Sequence, residues 1–230
     1  MRRAAIIHNT NRKTVERRLV YFGRVAMHHQ KLLLESLPKS DHVHFDDMET
    51  SEHTKLKGLS MALIVEHPSR IVLAYDVAQM PAKGHLAKLS LKKYGPRKDL
   101  RHIGWRNVLT TAAKVTNPGV IITSDKHKRY PLMIKKHLPH ANHVQVKGRK
   151  ACVAGQGELK RGGFDPIFSL NHTAAMFRAN INRLIRRTWC TTKRPDRLLC
   201  HISLYVLWHN ETILAKRDGR KRKFPFTGLS

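Results

Sequence analysis

The chain has 230 residues, with 44 Lys+Arg against 16 Asp+Glu and a formal net charge of +28. Its 41% apolar content is enough for a real core, which excludes a disordered basic tail, and no apolar run approaches the roughly 18 residues of a membrane span. A pI near 10.7 points to a polyanion partner, nucleic acid first.

The N-terminus, "MRRAAIIHNT", lacks the long apolar stretch and small-residue cleavage site of a signal peptide. Residues 1–38 read as helical. A short apolar piece (4–7) and a polar turn (8–10) precede "NRKTVERRLVYFG" (11–23), where Val15, Leu19 and Phe22 share a stripe and Asn11 or Thr10 is the N-cap. Short helix, tight turn and basic amphipathic helix make a helix-turn-helix-like pattern, with Arg12, Lys13, Arg17 and Arg18 as candidate DNA contacts. The competing reading is an ordinary surface helix with a solvated basic face. "ESLPKSD" (35–41) reads as a linker.

Three strands are expected next, at 42–48, 59–67 and 70–80, the last two joined by a tight turn at "PSR". A loop rich in Lys and Gly leads to a helix at about 102–115, a strand at 119–125, a short helix at 130–139 and a fifth strand at 142–147. A Gly/Lys-rich loop (147–163) reads as a DNA clamp or a solvated loop. A long helix at about 166–187, a last helix at 194–209 and a basic tail (211–230) complete the chain. Strands on short turns, followed by alternating helix and strand, imply an α/β fold: a mixed sheet flanked by helices, in the order of the ribonuclease-H-like fold.

The carboxylates are unevenly spread. Asp41, Asp46, Asp47, Glu49 and Glu52 all fall between 41 and 52. Alternation along the strand puts Val43, Phe45 and Asp47 on one face, and His44, Asp46 and Met48 on the other. Asp125 closes the apolar strand "GVIITSD", at the strand end where α/β sheets bind ligands. If the first and fourth strands are neighbours, Asp46 and Asp125 converge, and two close carboxylates call for Mg²⁺ or Mn²⁺. The plainer alternative has Asp46 and Asp47 capping a strand or pairing with Lys55 and Lys57. Asp76, on the third strand, is the rival first ligand. Asp41, Glu49 and Glu52 read as loop charges. Cys152, Cys190 and Cys200 show no CxxC spacing, which suits a reduced, cytoplasmic protein. Cys200, His201 and His209 fit no standard zinc spacing.

The stretches "FDDMETSEHTK" (45–55), "MPAKGHLAK" (80–88), "SDKHKRYP" (124–131) and "FDPIFSLNHTAAMFRANINRLIRRTWCTT" (164–192) resemble bacterial insertion-sequence transposases of the DDE superfamily, in the branch similar to ISXO-type elements with Asp-Asp-Asn at the metal site. The likeness runs from about residue 2 to 210. It implies a small helix-turn-helix-like region (1–38) and a ribonuclease-H-like catalytic domain (39–210); the tail (211–230) lies beyond the likeness and is expected to be flexible from its basic composition. The likeness further implies two Mg²⁺ (or Mn²⁺) ions held by Asp46, Asp125 and Asn171, and strand cleavage and transfer at the element's ends. The implied partners are double-stranded DNA, as terminal inverted repeats and target, and further copies of the chain on paired ends. No membrane is implied, and the setting is the bacterial cytoplasm and nucleoid. Arg178, seven residues after Asn171, falls on the same helix face with roughly 20° of drift and would contact phosphate. Arg186 and Arg187, with Trp189, are further candidate DNA contacts, although Trp189 also reads as core packing. His172 reads as a ligand-orienting or a structural histidine.

Two departures stand out. Most such enzymes carry Glu where this chain has Asn171, whose amide oxygen can ligate Mg²⁺ but brings no charge; Glu158 is the alternative acid. The chain also starts later than similar proteins, as a truncated copy would. A catalytically inactive, truncated transposase that binds DNA or inhibits an active form is the rival function, and a repair nuclease of ribonuclease-H type the third.

Overall fold

The computed structural model describes residues 2–147, 164–184 and 194–219. The chain is α/β, with one five-stranded mixed sheet between layers of helices. Two helices open it: α1 (Arg2–Ile7) and α2 (Arg12–Glu35). Asn11 caps α2 by accepting the Lys13 N–H at 2.8 Å, as its sequence position leads one to expect. The helix runs 24 residues, and its buried side continues from Leu19 through Gly23, Ala26, Gln30 and Leu34.

β1 (Ser40–Ser51), β2 (Gly58–Glu66) and β3 (Val72–Gln79) form an antiparallel meander. α3 (Leu86–Tyr94) lies within the stretch expected to be loop, and α4 (Arg101–Val115) runs straight into β4 (Thr116–Ser124). α5 (Tyr130–His137) and β5 (Asn142–Gln145) follow. α6 (Phe168–Asn180) ends in a single 3₁₀ turn at Asn182–Leu184, short of the expected helix end at 187. α7 (Pro195–Arg217) continues well past 209, so residues 211–217 of the expected tail are helical.

The strand order is β3-β2-β1-β4-β5, with β4 parallel to both β1 and β5. β2, between β1 and β3, is buried on both faces except at Glu66, consistent with its unbroken apolar run "LSMALIV". On one face Val43, Phe45, Ala62, Ile64 and Ile122 pack against Trp105, Val108 and Leu109 of α4 and Tyr130 and Ile134 of α5. On the other, Met48, Leu59, Met61 and Leu63 pack against Leu170, Ala174 and Phe177 of α6 and Leu198, Ile202 and Val206 of α7.

α2 lies alongside α7, and both run in the same direction. Glu16 meets Arg197 at 3.3 Å, Gly23 meets Cys200, and Gln30 meets Asn210 at 3.2 Å. A Cβ at position 23 would lie 2.5 Å from Cys200 Cβ, so the glycine sets the approach of the two helices. The outer edge of β3 is partly closed by side chains. Asn210 accepts the Val72 N–H and donates to the Val72 carbonyl, both at 2.9 Å, and Gln30 donates to the same carbonyl. Asn210 thus supplies there the pair of bonds a further strand would give. Among the described residues no helix is long and apolar enough to cross a membrane.

Candidate functional site

β1 and β4 are parallel neighbours, and their last paired residues are Phe45 and Ser124. The next residue in each case is an aspartate: Asp46, still within β1, and Asp125, just past the end of β4. The two carboxylates therefore sit side by side where β4 ends and the sheet opens. Burial pushes the Asp46 carboxyl up to about 7, and the charge of Asp125 adds to that rise. Two local bonds oppose it: the Asp47 N–H donates to Asp46 Oδ1 at 2.7 Å, and the Tyr130 hydroxyl donates to the same oxygen at 3.1 Å. Asp125 is oriented by its own turn, where Oδ1 accepts the His127 N–H at 3.0 Å. Its backbone carbonyl accepts from the Gln145 amide on β5 at 3.1 Å.

Asp47, adjacent in sequence, belongs to the opposite face. Both its oxygens accept from Trp105 Nε1, at 2.9 and 2.8 Å. Burial raises its carboxyl to about 6, and the Trp105 bond moderates the rise. Asp76 shares that face, opposite Ala62 as Asp47 is, and accepts from Asn107 of α4 at 2.7 Å. Neither joins the Asp46–Asp125 pair. Lys57 pairs with Glu52 at 4.0 Å. Of the remaining early acids, Glu52 also meets Arg97 at 2.7 Å, Glu49 meets Lys83, and Asp41 accepts from Asn117 at 2.8 Å.

α6 covers the face that carries Asp46. Its first turns are tied down through histidines: Ser169 Oγ lies 3.0 Å from His67 Nδ1, and the His67 ring stacks on His44 at 4.8 Å between centroids. His44 precedes Asp46 by two residues on the same strand face. It is 1% exposed, and among the described residues neither ring nitrogen has a hydrogen-bond partner. Burial, helped by the neighbouring His67 and His42, holds its pKa down to about 4, so the ring is neutral near pH 7. Asn171 comes one half-turn after Ser169. Its Nδ2 donates to Asp165 Oδ2 at 2.9 Å, rather than to either aspartate of the pair. His172 faces Arg70, whose Nη1 lies 3.2 Å from the ring.

Arg12, Lys13, Arg17 and Arg18 are all exposed on α2. Arg178 is half-buried on α6. Arg186, Arg187, Trp189 and Glu158 lie outside the described residues, as does nearly all of the 147–163 loop. Sequence reasoning passed over Tyr130 and Asp165. The first is signalled only by the aromatic directly after the basic "SDKHKR" turn, and the second by its place six residues before Asn171.

No protein-family model matches the sequence, and no curated protein is significantly similar to it. Among the described residues no group of three or more His, Cys, Asp or Glu side chains is arranged to hold a metal ion. The donors shown together are the two carboxylates of Asp46 and Asp125. Those donors are hard oxygens, the type Mg²⁺ and Mn²⁺ take. Burial first, and the charge of Asp125 after it, disfavour the ionised form of Asp46, and a divalent cation would offset both. On that ground the residues fit the ion.

Proposed function

We propose that the chain is a DDE-type DNA transposase with a ribonuclease-H-like catalytic domain, cleaving and joining DNA strands at the ends of an insertion sequence. The observation that carries this reading is that Asp46 on β1 and Asp125 just past β4 directly follow the last paired residues of the two strands, close enough for the charge of Asp125 to raise Asp46. The sheet order, with β2 antiparallel between β1 and β3 and β4 parallel to β1, agrees with that fold. The sequence likeness supplies the family.

In this reading Asp46, Asp125 and the Asn171 amide oxygen hold divalent ions. Such ions would supply Lewis-acid activation of the attacking water or 3′-hydroxyl and charge relief at the leaving oxygen. The protein's own part is placement. Tyr130 and the Asp47 N–H keep Asp46 Oδ1 directed, and the His127 N–H does the same for Asp125. The neutral His44 keeps the ground beneath α6 free of competing positive charge. The +28 charge draws the DNA in. Arg178 on α6 and the exposed Arg12, Lys13, Arg17 and Arg18 on α2 contact phosphate, with α1 and α2 reading the terminal repeats. Paired ends would bring two or more copies together in the bacterial nucleoid.

The test is cleavage of terminal-repeat DNA in Mg²⁺ or Mn²⁺. Asp46→Ala and Asp125→Ala should each abolish nicking while DNA binding survives. Wild-type rates in both variants would overturn the assignment. One observation favours a second reading, a DNA-binding copy without catalysis: the third donor, Asn171, carries no charge. Tight binding by the unaltered protein with no nicking at any divalent ion would select it.

A further inference from the structure

We infer that Asp165 is the positioning residue that turns the Asn171 amide oxygen toward the Asp46–Asp125 pair; this rests on the metal-binding reading given above. An asparagine side chain has two ends of similar shape and opposite hydrogen-bonding character, and only its oxygen can ligate a cation. Which end faces the site is decided by the group at the other end. Here that group is the Asp165 carboxylate, whose oxygen accepts. Asp165 Oδ2 takes the Asn171 NH₂ at 2.9 Å, so the amide oxygen is left pointing away from Asp165.

Asp165 is itself held. Its Oδ1 accepts the Ile167 N–H at 3.2 Å, and its backbone carbonyl accepts the Phe168 N–H at 3.1 Å. The carboxylate thus closes the turn that starts α6 with one oxygen and directs Asn171 with the other. The first turn of α6 is anchored over the Asp46 face through Ser169, His67 and His44. A negative group behind the amide also polarises it, raising the electron density on its oxygen. That restores, one shell out, part of the charge that a carboxylate at 171 would have brought directly. Carboxylates behind metal-bound histidines act in the same manner.

This geometry makes an asymmetric set of substitutions decisive. In Asp165→Asn the single remaining oxygen stays with the Ile167 N–H, so the turn persists. An NH₂ then faces the Asn171 NH₂, and the 171 amide must flip, presenting N–H groups to the cation. Asn171→Asp alone sets two carboxylates against each other. The exchanged pair, Asp165→Asn with Asn171→Asp, restores a donor facing an acceptor, with an oxygen toward the site.

The experiment is Mn²⁺ binding to the full chain, followed by electron paramagnetic resonance and calorimetry, with no DNA and no turnover. Asp46→Asn serves as the control for the metal site itself. Asp165→Asn should weaken Mn²⁺ binding about tenfold or more, the size seen for outer-shell partners. The exchanged pair should recover most of that loss, whereas Asn171→Asp alone should not match it. Binding in Asp165→Asn equal to the unaltered protein, while Asp46→Asn loses the ion, overturns the role of Asp165 and leaves the metal site standing. Binding that ignores Asp46→Asn, or no binding at all, overturns the metal site and this inference with it.

Discussion

The Tyr130 hydroxyl donates to Asp46 Oδ1 at 3.1 Å, although the two side chains belong to opposite layers of the sheet. The Tyr130 ring packs on Phe45 at 4.6 Å between centroids and edge-on to Trp105 at 5.4 Å, within the α4–α5 layer. Because β4 ends at Ser124, the hydroxyl reaches past the strand end to the face beneath α6. The bond favours the ionised form of Asp46 against burial and against Asp125. Tyr130→Phe should therefore shift the pH midpoint of Mn²⁺ binding upward while the fold persists. Its stability cost should be about 1 kcal/mol, that of one net hydrogen bond. A pH titration of Mn²⁺ binding checks it; an unchanged midpoint counts against any role for the hydroxyl.

Asp46 also makes the metal-free protein sensitive to pH, and the sign is opposite to that of a salt-bridged acid. Its folded value is about 7 against an ordinary 3.8. Between those values the folded chain holds more protons than the unfolded one, so stability falls as pH rises. The penalty is absent below the unfolded value and complete above about 7. Allowing for partial solvent access, it amounts to roughly 2–4 kcal/mol. Asp46→Asn should flatten the decline in denaturant-derived stability between pH 4 and 7. The flattening is incomplete, since Asp47 is also raised, to about 6. Added Mg²⁺ should lift stability of the unaltered protein above pH 7 and leave Asp46→Asn unmoved.

The α2–α7 contact tolerates no side chain at position 23. A Cβ there meets Cys200 Cβ at 2.5 Å and Cys200 Sγ at 2.9 Å, and neither is the tip of a long flexible chain. Gly23→Ala gains helix propensity but must separate two helices packed over much of their length. A net loss of about 1–3 kcal/mol is expected, as for other overpacked sites. Thermal unfolding measures it, and a rise in melting temperature would contradict the close approach.

Asn210→Leu probes the edge of β3. The substitution keeps the volume but leaves the Val72 N–H, buried against α7, without its acceptor. The Val72 carbonyl keeps Gln30. A loss of roughly 1–3 kcal/mol is expected for the orphaned donor, read from urea unfolding. Unchanged stability would mean that solvent or a shifted helix satisfies the strand instead.

Much of the sheet was legible in the sequence because strand periodicity is local. The three strands of the meander and β4 appear near their expected places, and "GVIITSD" ends with its aspartate just beyond β4. The alternation of "HVHFDDM" separates Asp46 from Asp47 by face, but it does not say which face carries α6. Trp105, far away in the chain, makes that distinction by occupying Asp47. α3 escaped notice because it buries almost nothing: Ser90 is its buried residue, while Leu89 and Leu91 are exposed, so no apolar stripe announces it. The helical reading of residues 1–38 takes in all of α2, although the buried Gly23 and Gln30 interrupt its apolar pattern while serving the contact with α7 and β3. The Asp165–Asn171 bond depends on the turn before α6, a shape that spacing alone does not disclose.

The most direct measurement is an anomalous difference map from a crystal soaked in Mn²⁺. A Mn²⁺ peak bridging the carboxylates of Asp46 and Asp125, within about 2.0–2.3 Å of an oxygen from each, is the expected result. Saturating Mn²⁺ with no peak between those two side chains would contradict the metal site, and with it the proposed transposase.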